Sequence, residues 1–414
     1  MKIAVWHNLP SGGGKRALYY HVRGLVQRGH IVEAWCPPTA DRGYLPLSDL
    51  VPEHVVPFTW EPAAGRGRLG RLMAPYRNIR RRLGAMDQHC RQCAEQINQG
   101  GFDLLFANAS AFFHATAIGR HVRSRSVLYL QEPYRAIYEA MPSLPWLALP
   151  DPPGGRWSIG YAKKFLDNLI QVQALRIQAR EEVTNAGGYD VILANSFFSR
   201  ESILRAYGIP AKVCYLGIDT DLFVNYRRPR ERIVAGLGSV TPHKRMELVV
   251  AALGQMAEPR PELVWIGNVA NAPYLQRMKE LAESLGVRLT AKVGISDRQV
   301  VEILNRAAVL VYAPRLEPFG LAPLEANACG LPVVGVSEGG VRETILDGVN
   351  GLMVDDDAAA IARAVDRILS DPDYAARLSS AGEEIVRRDW SLAASIDRLE
   401  ARLAEAIKRG PAGE

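Results

Sequence analysis

The sequence predicts an α/β protein made of two doubly wound parallel-sheet domains. Three observations carry that reading. The chain of 414 residues is 48% hydrophobic, enough apolar surface for about two cores of ordinary size. It opens with a strand, a glycine turn and a helix, which is the start of a βαβ unit. After the charged, proline-bearing stretch Tyr226-Arg227-Arg228-Pro229-Arg230, the same alternation begins again.

Taken in order, KIAVWHNL reads as a buried strand, followed by the turn Ser11-Gly12-Gly13-Gly14 and a helix with Leu18, Val22, Leu25 and Val26 on one face. IVEAWC resumes as a strand, so the first sheet starts parallel. Further strands are predicted at FDLLFAN (102–108), SVLYLQ (126–131) and DVILANS (190–196). The Pro, Gly and Trp-rich stretch from Pro142 to Gly155 is predicted to be irregular. The second series places strands at 232–238, 262–268, 287–294, 308–314 and 332–336. Asp389 to Arg409 reads as one long helix, with Leu392, Ile396, Leu399 and Leu403 at helical spacing. The expected domains are therefore 1–216 and 217–388, with the tail 389–414 closing back on the first. Open parallel sheets bind ligands at the carboxyl ends of their strands, and two such domains are expected to face a central cleft.

Composition excludes several function classes. No run approaches the roughly 18 apolar residues of a membrane span, and MKIAVWHNLP lacks a secretory signal's apolar stretch, so a cytoplasmic protein is expected. The five cysteines have no disulfide-framework spacing, and His89-Cys90-Arg91-Gln92-Cys93 has no second cluster to complete a zinc site. The net charge of +6 is modest. Its distribution is not even: Arg66 to Arg91 holds eight arginines and one acid, Asp87, with Leu69, Leu72, Met73, Tyr76, Ile79 and Leu83 interleaved. Such a basic amphipathic helix either lies on an anionic membrane surface, making the protein peripheral on the inner face, or turns its apolar side into the core. No nucleic-acid-binding signature accompanies it.

The chemistry concentrates in PRLEPFGLAPLEANACGLPVVGVSEGGVRE, Pro314 to Glu343. A strand ends at Pro314, Phe319-Gly320 make a turn, and Leu321 to Ala328 read as a helix with Glu325 one turn inside. A helix N-terminus with free N–H groups suits a diphosphate, and Gly320 allows close approach. Carboxylates at Glu317 and Glu325 are out of place beside an anion unless they accept from hydroxyls, for which a sugar and a ribose are the natural donors.

This segment, with Glu317 and Glu325 seven residues apart and the following Gly339-Gly340, resembles the donor-binding signature of family-four retaining glycosyltransferases, which have the GT-B fold. The resemblance implies that Glu317 lies near the transferred sugar, that Glu325 binds the ribose, and that Phe319, Gly320 and Leu321 hold phosphate and sugar. ILANSFFSRESILRAYGIPAKVCYLGIDTDLF resembles the family's inter-domain stretch, and LGSVTPHKRMELVV its phosphate loop. There Lys244 matches the expected cation and Ser239 stands where Arg is common, leaving Arg245 to compensate. Gly13 and Gly14 match the acceptor-side loop, and backbone near Val293 and Gly294 is implied to hold the base.

In YLQEPYRAIYE, Gln131 stands where relatives often carry His, and Gln is neither acid nor base at neutral pH. The resemblance implies a same-face reaction needing little acid/base help, so Glu317, Lys244 and Gln131 are the expected catalytic group, acting by position and charge. Glu132 and Arg135 are either donor or acceptor contacts or a structural ion pair. His7 and His114 are minor candidates.

The implied activity is hexosyl transfer from a UDP-, GDP- or ADP-sugar to a hydroxyl acceptor such as a glycan or lipid-linked saccharide, with no cofactor and no metal. Trp146, Leu147, Leu149 and Trp157 either touch lipid or pack on the first domain. The alternatives are a nucleotide-sugar epimerase or hydrolase of the same fold and a catalytically silent surface-binding module.

Overall fold

A computed structural model describes residues 1–63, 67–141, 143–152 and 158–408. Arg66, Trp157 and the tail from Arg409, all named above, lie outside the described residues, as do Pro142, residues 153–155 and the side chains of Arg68 and Leu69.

The strands of the first unit are β1 (Lys2–Asn8), β2 (Ile31–Cys36), β3 (Glu53–Val55), β4 (Leu104–Ser110), β5 (Arg125–Gln131), β6 (Val191–Ala194) and β7 (Lys212–Val213). They form one parallel sheet in the order β3-β2-β1-β4-β5-β6-β7. The second unit repeats the plan with β8 (Ile233–Leu237), β9 (Glu262–Gly267), β10 (Leu289–Val293), β11 (Val309–Tyr312), β12 (Val333–Val336) and β13 (Gly351–Val354), ordered β10-β9-β8-β11-β12-β13. Each sheet reverses direction once, at β1/β4 and at β8/β11, and these are the switch points where α/β sheets bind ligands.

Central strands such as LLFANAS and VLVY are buried at every position, because helices cover both faces of a parallel sheet. The first core joins Trp6, Leu105, Leu128 and Ile192, and the second joins Val234, Trp265, Val311 and Val334.

All ten strands expected from the sequence are present, with ends shifted by a residue or two. The unforeseen ones are β3, β7 and β13, three of the four outermost strands, where few residues pair and the apolar run is short. A 28-residue helix, Ile159–Ala186, was also not foreseen. From Ile159 to Gln171 it buries no residue, although Ile159, Ala162, Leu166 and Leu169 share one side.

Three expectations change. The units are Met1–Ala194 with Arg200–Val213 and 399–408, and Asn195–Ser199 with Cys214–Arg398, so the crossover lies at 213/214 instead of 216/217, 195–199 belongs to the second unit, and the return to the first begins at Leu399 instead of Asp389. The tail is not one helix from Asp389. Pro372–Asp389 ends at Trp390, whose ring is buried against Tyr215 and Phe319, and Leu392–Lys408 starts afresh with Ser391 Oγ accepting from Ala394 N–H. The arginine-rich stretch is likewise two helices, Gly67–Leu72 and Ala74–Gln99, separated at Met73 with Pro75 in the first turn of the second. On the longer helix Ile79, Met86, Cys90, Cys93 and Ile97 are buried, and Tyr76 and Leu83 pack against the same core. Its apolar side therefore belongs to the core and is not open to a membrane.

Candidate functional site

In the second unit the expected residues gather at the carboxyl ends of β8 and β11, the switch point. Beyond β11 the chain crosses Pro314 and makes a left-handed residue at Leu316, whose N–H donates to Glu338 (3.1 Å). Glu317 follows. Its Oε2 lies 2.6 Å from Lys244 Nζ, and both side chains are largely buried. Tyr312, at the end of β11, is buried under both carboxylates, and burial together with the charges of Glu317 and Glu325 pushes its phenol well up, so it stays a neutral donor.

The turn is fixed by packing. Gly340 N–H donates to Glu317 O (2.7 Å), and a Cβ on Gly340 would lie 2.1 Å from Pro318 O. A Cβ on Gly339 would lie 2.3 Å from Glu317 O. The paired glycines are therefore required for the loop to lie on its neighbour. Pro318 O accepts from Ser196 Oγ (2.5 Å) and Ser199 Oγ (3.3 Å), and Phe319 is buried against Tyr215 and Trp390. Gly320, at φ 101°, begins helix Leu321–Ala328 and offers no side chain to cap its first amides. Glu325 is buried one turn inside.

The loop expected to hold phosphate follows β8. Ser239 Oγ is 3.0 Å from Thr241 Oγ1, and the stem of Lys244 packs over Gly238. Arg245 is left-handed (φ 51°) and buried, with Nε donating to Ala313 O (2.6 Å) and Nη1 2.6 Å from Asp356. That guanidinium is committed to holding the end of β11, which leaves Lys244 as the cation of the loop beside Glu317. Val293 and Gly294 end β10, with Gly294 N–H donating to Gly267 O (2.8 Å).

In the first unit Gly13 and Gly14 open helix Gly13–Gln27 after Gly12, again without a side-chain cap. Gln131 ends β5 in the left-handed region (φ 66°), the kind of strain that collects at functional positions. The Gln131 amide lies beside Gly14, 3.4 Å from where a Cβ there would sit, and its nitrogen is buried without a hydrogen bond. Glu132 and Arg135 form an ion pair (3.4 Å), and Arg135 also binds Glu139 (2.6 Å). His114 Nδ1 is 3.0 Å from Glu132 O, and burial lowers its pKa.

His7 meets Glu53 (3.4 Å), and with Cys36 these are the His/Cys/carboxylate group among the described residues close enough to hold a metal, within 4.8 Å. The donor set does not suit one. Glu53 is already bound by His7 and Arg42, and the amine of Lys15 is buried beside the group. His89 is no metal half-site either: Nε2 accepts from Trp6 Nε1 (3.1 Å) and Nδ1 donates to Pro57 O (3.2 Å).

Sequence reasoning missed Glu343. Its carboxylate accepts from the N–H groups of Phe197 (2.9 Å) and Phe198 (3.0 Å) at the start of helix Phe197–Tyr207, and from Tyr215 Oη (2.8 Å). No local spacing signals a partner so distant in the chain.

The model of "Glycosyltransferase Family 4" matches residues 11–222, half of the chain. The chain belongs to that family. The model of "Glycosyl transferases group 1" matches residues 218–385, which hold the whole Glu317–Glu325 segment. Among curated proteins, this family-4 chain is 32% identical over 228 residues to the GDP-mannose-dependent alpha-(1-6)-phosphatidylinositol monomannoside mannosyltransferase of Mycolicibacterium smegmatis, covering 49% of this chain and 58% of that one. It is 32% identical over 257 residues to the D-inositol 3-phosphate glycosyltransferase of Kribbella flavida, covering 55% and 59%. The matches thus span about three-fifths of these relatives' own length. Among solved structures, Anabaena HepE in complex with UDP and glucose aligns over 98% of this chain and 99% of its own with a TM-score of 0.70 at 18% identity. Sucrose-phosphate synthase of Thermosynechococcus elongatus aligns over 98% of each chain with a TM-score of 0.71 at 19% identity. Those likenesses show the fold, the GT-B pairing of two parallel-sheet α/β domains.

Proposed function

We propose that this family-4 chain is a retaining hexosyltransferase that takes its sugar from a nucleoside-diphosphate donor and passes it to a hydroxyl of a glycan or lipid-linked saccharide. The observation that carries the reading is the Lys244–Glu317 pair beside the uncapped helix Leu321–Ala328, with Glu325 one turn inside. In that reading the diphosphate binds the free amides of the helix and Lys244 Nζ, Glu325 accepts from the ribose, and Glu317 accepts from a sugar hydroxyl. The bond from the anomeric carbon to the diphosphate breaks, the bond to the acceptor oxygen forms on the same face, and the acceptor proton passes to the leaving phosphate oxygen. Lys244 and the helix amides stabilise that oxygen as it departs. Gln131, unable to exchange protons, acts through its amide N–H on a ligand oxygen.

No metal is needed in this scheme, because the ammonium and the amides meet the diphosphate charge. GDP-mannose leads among the donors, since several relatives are named as dependent on it, and UDP-sugars follow from the UDP and UDP-glucose complexes of HepE. The test is to incubate the protein with each nucleotide sugar, with and without a lipid-linked saccharide, and to read the products by NMR. A new glycosidic bond of the donor's own anomeric configuration is the expected result. Free sugar or an epimer formed without an acceptor would replace the proposal with a hydrolase or epimerase.

A further inference from the structure

We propose that one end of the first unit is a docking surface for an anionic lipid bilayer, formed by the unpacked half of helix Ile159–Ala186 beside the exposed arginines that precede and open helix Ala74–Gln99. The proposal goes beyond sugar transfer and rests on the exterior of the first unit alone.

From Ile159 to Gln171 the long helix buries no residue. Its apolar side chains there stay open: Leu166 is 45% and Leu169 48% exposed, and Lys163 and Lys164 are exposed beside them. In the segment before it, Trp146 is 41% and Leu147 57% exposed. Helical spacing puts Ile159, Ala162, Leu166 and Leu169 along one side, which a helix kept in water has no reason to make apolar.

The neighbouring helix supplies the charge. The two pack together and run the same way. Arg82 of Ala74–Gln99 lies over the ring of Phe112 while Gln178 of Ile159–Ala186 binds Phe112 O, and farther along Asn98 binds His121 O while Asn185 binds Ala115 O. The early residues of both helices therefore lie at one end of the unit. At that end Arg71, Arg77, Arg80 and Arg81 are exposed, and the sequence holds no acid from Arg66 to Met86. Between Ser158 and Gln171 the one acid is Asp167.

Exposed leucines and a predominantly basic field, with Glu61 beside Arg81 and Asp167 as the acids near it, match a bilayer of anionic headgroups, into which the apolar side chains dip while the arginines meet phosphate. The core of a protein interface, in contrast, is depleted of charge.

The experiment is flotation of the full chain with phosphatidylcholine vesicles, with and without phosphatidylglycerol. Binding is expected to the anionic vesicles and to fall as salt rises. The variant Arg71→Gln/Arg77→Gln/Arg80→Gln should lower partitioning on the order of a hundredfold, about five-fold per charge, and Leu166→Ser/Leu169→Ser roughly ten-fold. These side chains are exposed, so both variants should keep the wild-type melting temperature and its rise with nucleoside diphosphate. Equal binding to neutral vesicles, absence of flotation, or unchanged partitioning of the two variants would overturn the proposal. So would a dimer that Leu166→Ser/Leu169→Ser dissociates without any effect on vesicles, which would make the face an interface between copies. A wild-type protein that floats but gains no thermal stability from any nucleotide counts against the donor site and leaves the surface standing.

Discussion

Lys244 and Glu317 are bound to one another across the donor loop, Nζ to Oε2 at 2.6 Å, 73 residues apart in sequence. The pair has two consequences. It holds the ammonium beside helix Leu321–Ala328, and it sets the Glu317 carboxylate next to the buried Tyr312 phenol, whose pKa burial and that charge push up. Removing either partner alone leaves a largely buried charge without its counterpart. Lys244→Ala and Glu317→Gln should therefore be non-additive in urea unfolding, with a coupling of about 1–2 kcal/mol. In transfer assays Lys244→Ala should lower kcat by about two to three orders of magnitude. Strict additivity would mean that the contact adds nothing.

Gly340→Ala tests the loop sterically. Its Cβ would lie 2.1 Å from the carbonyl of Pro318, a backbone atom that cannot swing aside as a side chain would. The variant is expected to lose about 1–3 kcal/mol of stability together with nucleotide binding. Gly348→Ala is the control. Nothing lies within 4 Å of its Cβ, and its left-handed φ of 71° should cost only about 1 kcal/mol with binding intact. Equal binding defects in both would point to strain rather than to the loop.

Glu343→Ala removes the acceptor of two helix-terminal N–H groups and of Tyr215 Oη. About 1–3 kcal/mol of stability should go with it. Tyr215→Phe, which removes one of those bonds, should cost about 1 kcal/mol. Urea unfolding of the two variants measures both.

His21 predicts a pH dependence. It is buried beneath Phe106 and Tyr129, neither ring nitrogen has a partner, and burial lowers its pKa from 6.5 to about 4. The unfolded chain binds this proton more readily than the folded one, so its neutral form contributes stability above pH 6.5. That contribution is lost as the pH falls from 6.5 to about 4. His21→Phe should abolish about 3 kcal/mol of that loss, at 1.36 kcal/mol per unit. Urea midpoints across this range check it, and parallel curves for the two proteins would contradict it.

Much of the fold was legible in the chain because buried parallel strands read as continuous apolar runs, as in FDLLFAN and ELVWIGN. The candidate loop could be picked out in the sequence because the chemistry proposed for it is local: Glu317, Gly320 and Glu325 lie within nine residues. What stayed hidden depends on partners far away. Glu343 reaches Phe197 and Phe198, and Arg245 looks like a phosphate ligand until its guanidinium is seen on Ala313 and Asp356. The arginine-rich stretch left its apolar stripe to either a membrane or the core, and Ile79 and Met86 pack inward. The open apolar side chains belong to its neighbour, Ile159–Ala186, whose stripe no core covers from Ile159 to Gln171.

The most direct test of the donor site is the melting temperature of wild type and Glu325→Ala titrated with UDP, GDP and ADP. The account predicts that one nucleoside diphosphate stabilises the wild type in proportion to the logarithm of its concentration over its affinity, and that Glu325→Ala shows no such rise. Equal stabilisation of both proteins, or of neither by any nucleotide, would contradict it.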